Sequence, residues 1–165
     1  MIVGIESKII TYEPRIQALC HTPFYGHPRG CPNFGRKKNC PPNQLLINQV
    51  IDLSREAYVI YTKFDVGKFA ERMRVMHHEW KDQPRQWYNP RRWQPKARKE
   101  HRYELERFSA THPDFIFNTM PEAHGVNISS LMLEIGIKLK WEWPPKHDEN
   151  NKVYIISLGG TEFKG

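Results

Sequence analysis

Apolar and polar residues alternate along this chain with two periods, and each change of period marks an element. Residues 2–12 are rich in Ile, Val, Thr and Tyr and predict a strand or strand pair, ended by Pro14. A short amphipathic step over 15–19 leads into a stretch, 20–42, that has no period at all. Leu46, Ile47, Val50 and Ile51 then recur at helical spacing behind Asn43, which predicts a capped helix opening at Gln44. Ala57 to Thr62 is a compact β-rich run and reads as a central strand. Behind Asp65, the residues Val66, Phe69, Ala70, Met73, Met76 and Trp80 fall along one stripe of a second helix.

The pattern then breaks. Pro84, Pro90 and Pro95 forbid a continuous helix over 83–96, so this is a long connection. A third helix is predicted from Ala97 to about Phe108, with Leu105 and Phe108 inward, and a short buried strand over 114–118. Asn127 or Ser129 can cap a fourth helix carrying Ile128, Leu131, Met132 and Ile135, with Gly136 placed to end it. Ile137 to Trp143 alternates strictly, and with Val153 to Leu158 it predicts a C-terminal β-hairpin, followed by Gly159-Gly160. Helices interleaved with strands predict an α/β or α+β fold, one domain over 1–165, with helices packed on a sheet.

Composition narrows the setting. The chain has 165 residues, 39% hydrophobic and 26% charged, enough to build a core without staples. No apolar run reaches the roughly 18 residues that span a bilayer, and the N-terminus lacks the basic and apolar regions of a signal peptide. Three cysteines are an odd set, unlike a secreted disulfide framework, and predict a reducing, cytoplasmic compartment. The net charge of +7 favours an anionic partner, a nucleic acid or nucleotide.

All three cysteines, Cys20, Cys31 and Cys40, lie in the stretch without a period, which also holds Pro23, Pro28, Pro32, Pro41 and Pro42. Thiolates are soft ligands suited to zinc, copper(I) and iron–sulfur clusters. Structural zinc prefers close pairs such as C-x2-C, and none exists here. Gaps of ten and eight residues suit a larger object touched at separated corners, so an iron–sulfur cluster, 4Fe-4S by ligand count, is favoured over zinc. Cys31-Pro32 and Cys40-Pro41 fix the backbone at two ligands, while Gly26, Gly30 and Gly35 supply tight turns. His21 or His27 can fill a fourth position, as can solvent. Three buried or free thiols without metal are the plainer alternative.

The run Tyr25-Gly26, Gly30-Cys31-Pro32-Asn33-Phe34-Gly35 and Cys40-Pro41-Pro42 resembles the signature of a family of small, predicted metal-binding proteins of unknown function. Members carry a Cys…Cys-x-x-(Tyr/Phe)-Gly…Cys-Pro-Pro segment. The resemblance implies metal binding, and no particular reaction. Family members often carry a further cysteine cluster near the C-terminus, which this chain lacks. Three cysteines on a four-iron cluster leave one iron open. Sulfur-handling enzymes that act on thiolated nucleobases are similar in this respect alone.

From Arg85 to Arg102 the chain carries Arg85, Arg91, Arg92, Lys96, Arg98, Lys99 and Arg102, opposed only by Glu100. Trp87, Tyr88 and Trp93 are interleaved. Cations neutralise phosphates and aromatic rings stack on unpaired bases, so this basic aromatic connector, 83–102, predicts a nucleic-acid surface. Its plainer reading is a solvated connector whose tryptophans cover core. Arg36, Lys37 and Lys38 add charge inside the cysteine loop. His77-His78-Glu79 has the wrong spacing for a zinc-protease motif. His112, Asp114 and His124 could converge near strand ends. Thr22, Tyr25 and Glu122 are candidates for proton transfer that nothing in the sequence selects. The reading is an iron–sulfur protein acting on nucleic acid or a nucleotide, as a nucleobase or tRNA sulfur-modifying or desulfurising enzyme if it turns over. The alternative is a non-catalytic nucleic-acid or protein-binding module stabilised by zinc or a cluster. A redox carrier ranks last, because carriers usually shield the cluster with four ligands.

Overall fold

The β-rich run over Ala57–Phe64 is the strand against which both layers of the molecule are laid. In the computed structural model, which describes residues 1–23 and 27–165, four strands form one antiparallel sheet. They are β1 (Ile2–Ile5), β2 (Ala57–Phe64), β3 (Phe115–Asn118) and β4 (Val153–Thr161), in the order β1-β2-β4-β3. Every neighbouring pair is antiparallel, so the fold is α+β. The helices are α1 (Pro14–Ala18), α2 (Val66–Met76), α3 (Pro84–Trp87), α4 (Pro90–Thr111) and α5 (Ile128–Glu134). No helix among the described residues is long and apolar enough to cross a membrane.

Successive side chains of β2 point to opposite faces, and both faces are covered. Ala57, Val59 and Tyr61 join Leu158 of β4 in one cluster, covered by Ile10, Ile47, Ile51, Val126, Leu131 and Met132. On the other face Ile60 meets Leu105 and Phe108 of α4, and Phe64 meets Trp93 and Ala97 farther along the same helix. A strand buried on both sides loses its polar alternation, which is why 57–62 reads as a continuous apolar run.

Helix α4 runs unbroken through Pro95, against the expectation of an irregular connection over 83–96. Asn89 caps it by accepting from the Arg91 N–H, and Pro90 sits at the first helical position, where a missing N–H costs nothing. Pro95 lies on the exposed face. An interior proline costs about 3 kcal/mol. Trp93, Ala97, His101, Leu105 and Phe108 form one buried stripe across it, and each large apolar side chain contributes roughly 1.5–3 kcal/mol. The stripe outweighs the proline.

Other expectations also change. Pro14 opens α1 instead of merely ending a strand. Residues 44–51 form only a 3-10 turn, Ile47–Gln49. The chain there is drawn into pairing with the end of β4: the Asp52 N–H donates to the Thr161 carbonyl and the Phe163 N–H to that of Val50. Ile47 and Ile51 are buried all the same. The C-terminal hairpin is absent: residues 137–143 form no strand, and β4 pairs with β2 along Ala57–Phe64 and with β3 at its far end. The alternation over 137–143 lays Ile137 and Leu139 onto the first cluster instead. Strand β3 is a half-buried edge, not a buried strand. Gly159 and Gly160 lie inside β4 rather than beyond it. Asn127 caps the start of α5, and past its end Gly136 adopts φ +80°; the Gly136 N–H donates to Leu133 and that of Ile137 to Met132, a Schellman motif.

His101 ties α4 to the two central strands. Its Nδ1 lies 3.0 Å from Thr62 Oγ1 on β2, and its Nε2 lies 2.8 Å from Ser157 Oγ on β4. All three residues are buried, and Ser157 has no exposed surface. The contact is therefore structural, although its Ser–His geometry superficially suits a nucleophile and base. Burial drives the His101 pKa down to about 4. The folded state then holds fewer protons than the unfolded chain between that value and 6.5. Stability from this group is complete above about pH 6.5 and lost as pH falls toward about 4, by up to about 3 kcal/mol. Chemical denaturation of the wild type across this window should show that slope, and His101→Gln should flatten it. A second check concerns Gly159, where a Cβ would stand 2.3 Å from Phe108 Cζ. Gly159→Ala should cost about 2 kcal/mol in the same measurement, because a packed ring cannot retreat.

Candidate metal centre and basic helix

The cysteine loop is held by its own backbone and by a short platform. Cys20 closes onto Cys31: the Cys31 N–H donates to the Cys20 carbonyl at 2.7 Å. Gly30, at φ +76°, makes that approach possible, because a Cβ there would stand 2.5 Å from the Cys20 oxygen. A second closure joins the Gly35 N–H to the Pro41 carbonyl at 2.8 Å, and the Cys40 N–H donates to Lys37. The platform is α1 with the 3-10 turn Pro121–His124. Gln17 Nε2 donates to the carbonyls of Gln44, at 3.0 Å, and Ala123, at 2.9 Å. His124 bonds the Leu45 carbonyl through Nδ1 at 2.8 Å.

All three thiols are free and half-buried. Burial raises the Cys20 thiol above its usual range, and the neighbouring Cys31, Cys40 and Glu122 push it further the same way. Cys31, Cys40 and Glu122 therefore each contribute to the field at Cys20. Glu122 keeps an exposed surface, yet the surrounding protein desolvates its carboxyl enough to raise its pKa. Among the described residues, no three His, Cys, Asp or Glu side chains are grouped closely enough to hold a metal ion. The donor chemistry fits a soft metal or a cluster; these thiol positions are not yet a ligating arrangement.

The other loop candidates are distributed as follows. The His21 ring packs on Phe34, with centroids 3.7 Å apart. His27 and Thr22 are exposed. Arg36, Lys37 and Lys38 are exposed on the loop. Tyr25 and Gly26 lie outside the described residues.

The basic aromatic segment divides into two parts with different fates. Trp87 and Trp93 are each 5% exposed, and Tyr88 is wholly buried. Trp87 Nε1 donates to the Trp80 carbonyl and Trp93 Nε1 to that of Tyr88. Trp93 also packs on Phe64. These rings are core, so the expectation that Trp87 and Trp93 stack on bases is corrected. Burial gives each ring more apolar contact than a solvated connector could offer.

The cations stay outside. Arg85, Arg91, Arg92, Lys96, Arg98, Lys99 and Arg102 are all exposed. On α4, helical spacing sets Arg91, Arg98 and Arg102 along one line and Arg92, Lys96 and Lys99 along another. Arg92 lies over the Trp80 ring at 4.2 Å and Lys96 over Phe69 at 5.2 Å. A groove of about 240 Å³ between α2 and α4 brings Lys68 and Arg72 toward Lys96, above Phe64 and Phe69. Sequence reading missed the α2 cations. Their spacing of four on the exposed face of a helix was the available signal.

The histidines named from sequence do not converge. His77 stacks on Trp80 at 3.8 Å and bonds Glu79. His112 stacks on Phe108 at 4.6 Å, against the sheet face that α4 covers, and His124 bonds Leu45 under the cysteine loop. Asp114 is exposed. The loop and α4 also belong to opposite layers. The loop continues through Leu46 into Ile47, which covers one face of the sheet, whereas α4 covers the other.

No family model, curated protein or solved structure matches this chain. The loop's geometry gives a direct test of its closure. Gly30→Ala should separate Cys31 from Cys20 and raise thiol reactivity toward a disulfide reagent several-fold, with the circular dichroism of the sheet and helices unchanged. Unaltered reactivity would show that the Gly30 contact does not hold the loop shut.

Proposed function

We propose that the chain binds an iron–sulfur cluster through Cys20, Cys31 and Cys40, and engages a nucleic acid or nucleotide through the exposed cations of α4. The observation that carries the first part is the closure of the loop, with the Cys31 N–H on the Cys20 carbonyl and both other cysteines in the field of Cys20. Burial and the neighbouring thiols disfavour the Cys20 thiolate, and a bound cation would offset that penalty. A four-iron cluster, if held by Cys20, Cys31 and Cys40, would leave one iron without a cysteine, and would supply there a Lewis-acidic or sulfur-binding position suited to sulfur-handling chemistry. His21, His27 or solvent supplies the fourth contact. The reducing conditions of a cytoplasm keep the thiols in the required state.

The chain's own residues have separate tasks in this reading. Gly30 and Gly35 close the loop. Glu122, whose carboxyl burial pushes up from its ordinary range, adds negative charge to the surroundings of Cys20. Arg91, Arg98 and Arg102 face phosphates.

A second reading has its own support. The loop and α4 lie on opposite layers of the sheet, an arrangement that favours a non-catalytic binding module in which zinc or a cluster only fixes the loop.

Anaerobic purification with metal and sulfide analysis separates the two. Iron and sulfide near four per chain, with colour lost in Cys20→Ser, Cys31→Ser and Cys40→Ser, is the expected result. One zinc and no visible absorbance would move the assignment to the module. Retention of colour in Cys20→Ser would remove that residue from the ligand set. For α4, binding of single-stranded RNA should weaken steeply with salt. Arg91→Gln, Arg98→Gln and Arg102→Gln together should lower the log–log slope by about two. A flat salt dependence of the wild type would refute the nucleic-acid assignment.

A further inference from the structure

The segment 137–143 carries a strand's sequence without a strand's partner. Its side chains alternate as in an extended chain: Ile137 and Leu139 pack on one cluster and Trp143 on another, while Lys138, Lys140 and Glu142 face water. Yet among the described residues, positions 138–143 make no backbone–backbone hydrogen bond. Trp141 is the exception to the alternation. It belongs to the inward set but is 71% exposed, with its Nε1 donating to Ser129 Oγ at 2.9 Å.

We infer that this segment pairs antiparallel with the same segment of a second copy of the chain, about a two-fold axis at Trp141. The choice of occupant follows from register. With Trp141 opposite its own mate, Lys140 stands across from Glu142 of the second copy, and Glu142 across from its Lys140. Leu139 then meets Trp143, and Pro144, which has no N–H, ends the ribbon. Moving the axis to Lys140 sets Lys140 against itself, moving it to Glu142 does the same for Glu142, and moving it to Leu139 sets Lys138 against Lys140. Like charges directly opposite oppose pairing. Only the Trp141 register avoids them all. It also gives Lys140 and Glu142 partners, which neither has among the described residues within one chain.

The ribbon would not stand alone. An isolated two-stranded ribbon is marginal in water. Here Ile137, Leu139 and Trp143 already dock each strand on its own core, so pairing adds to two folded surfaces. The exposed Trp141 falls where the two cores meet. A second copy therefore explains both the unpaired backbone and the one exposed inward position.

Charge exchange tests this directly, using the full chain in sedimentation equilibrium across the micromolar range. The wild type should be a reversible dimer. Lys140→Glu or Glu142→Lys alone should weaken self-association about tenfold, since each sets two like-charge pairs in the ribbon. Mixing these two single variants should restore a dimer, now mixed, and the double variant K140E/E142K should recover the homodimer. Both positions are exposed, and unchanged circular dichroism confirms that each variant folds. A monomeric wild type overturns the inference. So does a dimer that the single charge variants leave unchanged, which would place the interface elsewhere.

Discussion

The structure depends on the pairing of β2 with β4 and on the helix that lies across the pair. Neither strand neighbours the other in sequence, so their ladder must be held by what covers it. Helix α4 does this on one face, through Trp93, Ala97, Leu105 and Phe108, and fixes its register with His101. A buried imidazole between two hydroxyls on adjacent strands is costly if any partner is lost. It therefore specifies one placement of helix on sheet. Phe108 is seated over Gly159 with no room for a side chain between them. Together these contacts explain how a helix with two prolines near its start remains continuous.

The far face of the sheet has a different character. It is covered by turns, the short helix α5 and the returning chain over 44–53, with little regular structure. The cysteine loop grows out of this layer. Its supports are backbone closures and a few side chains, Gln17 and His124 among them, rather than a large apolar contact.

Two candidate features lie in different layers, and this separation constrains any function joining them. The cations of α4 are carried on the outer side of the helix whose inner side builds the core. A partner bound there lies along the helix. Reaching the cysteine loop requires passing around a sheet edge, and β3 is the edge next to the platform of the loop.

Local chemistry made several elements legible from sequence. Strand β2 was readable because burial on both faces leaves a continuous apolar run, and α2 and α5 because Asp65 and Asn127 cap visible stripes. The three cysteines and the outer cations of α4 were readable as residue types. Tertiary contacts decided the rest. Prolines predicted a break that a buried stripe overrode. The same stripe took Trp93 into the core, and Trp87 of α3 joined the cluster beside it, because an aromatic between charges looks alike whether it faces water or protein. Residues 44–51, and 137–143 apart from Trp141, kept their burial patterns and lost their predicted elements, since pairing with β4 is a contest among distant segments. The link from His101 to Thr62 and Ser157, and the platform on which Gln17 reaches Gln44 and Ala123, arise from residues far apart in the chain. Periodicity records which side of a segment is buried; what buries it is settled only when the whole chain closes.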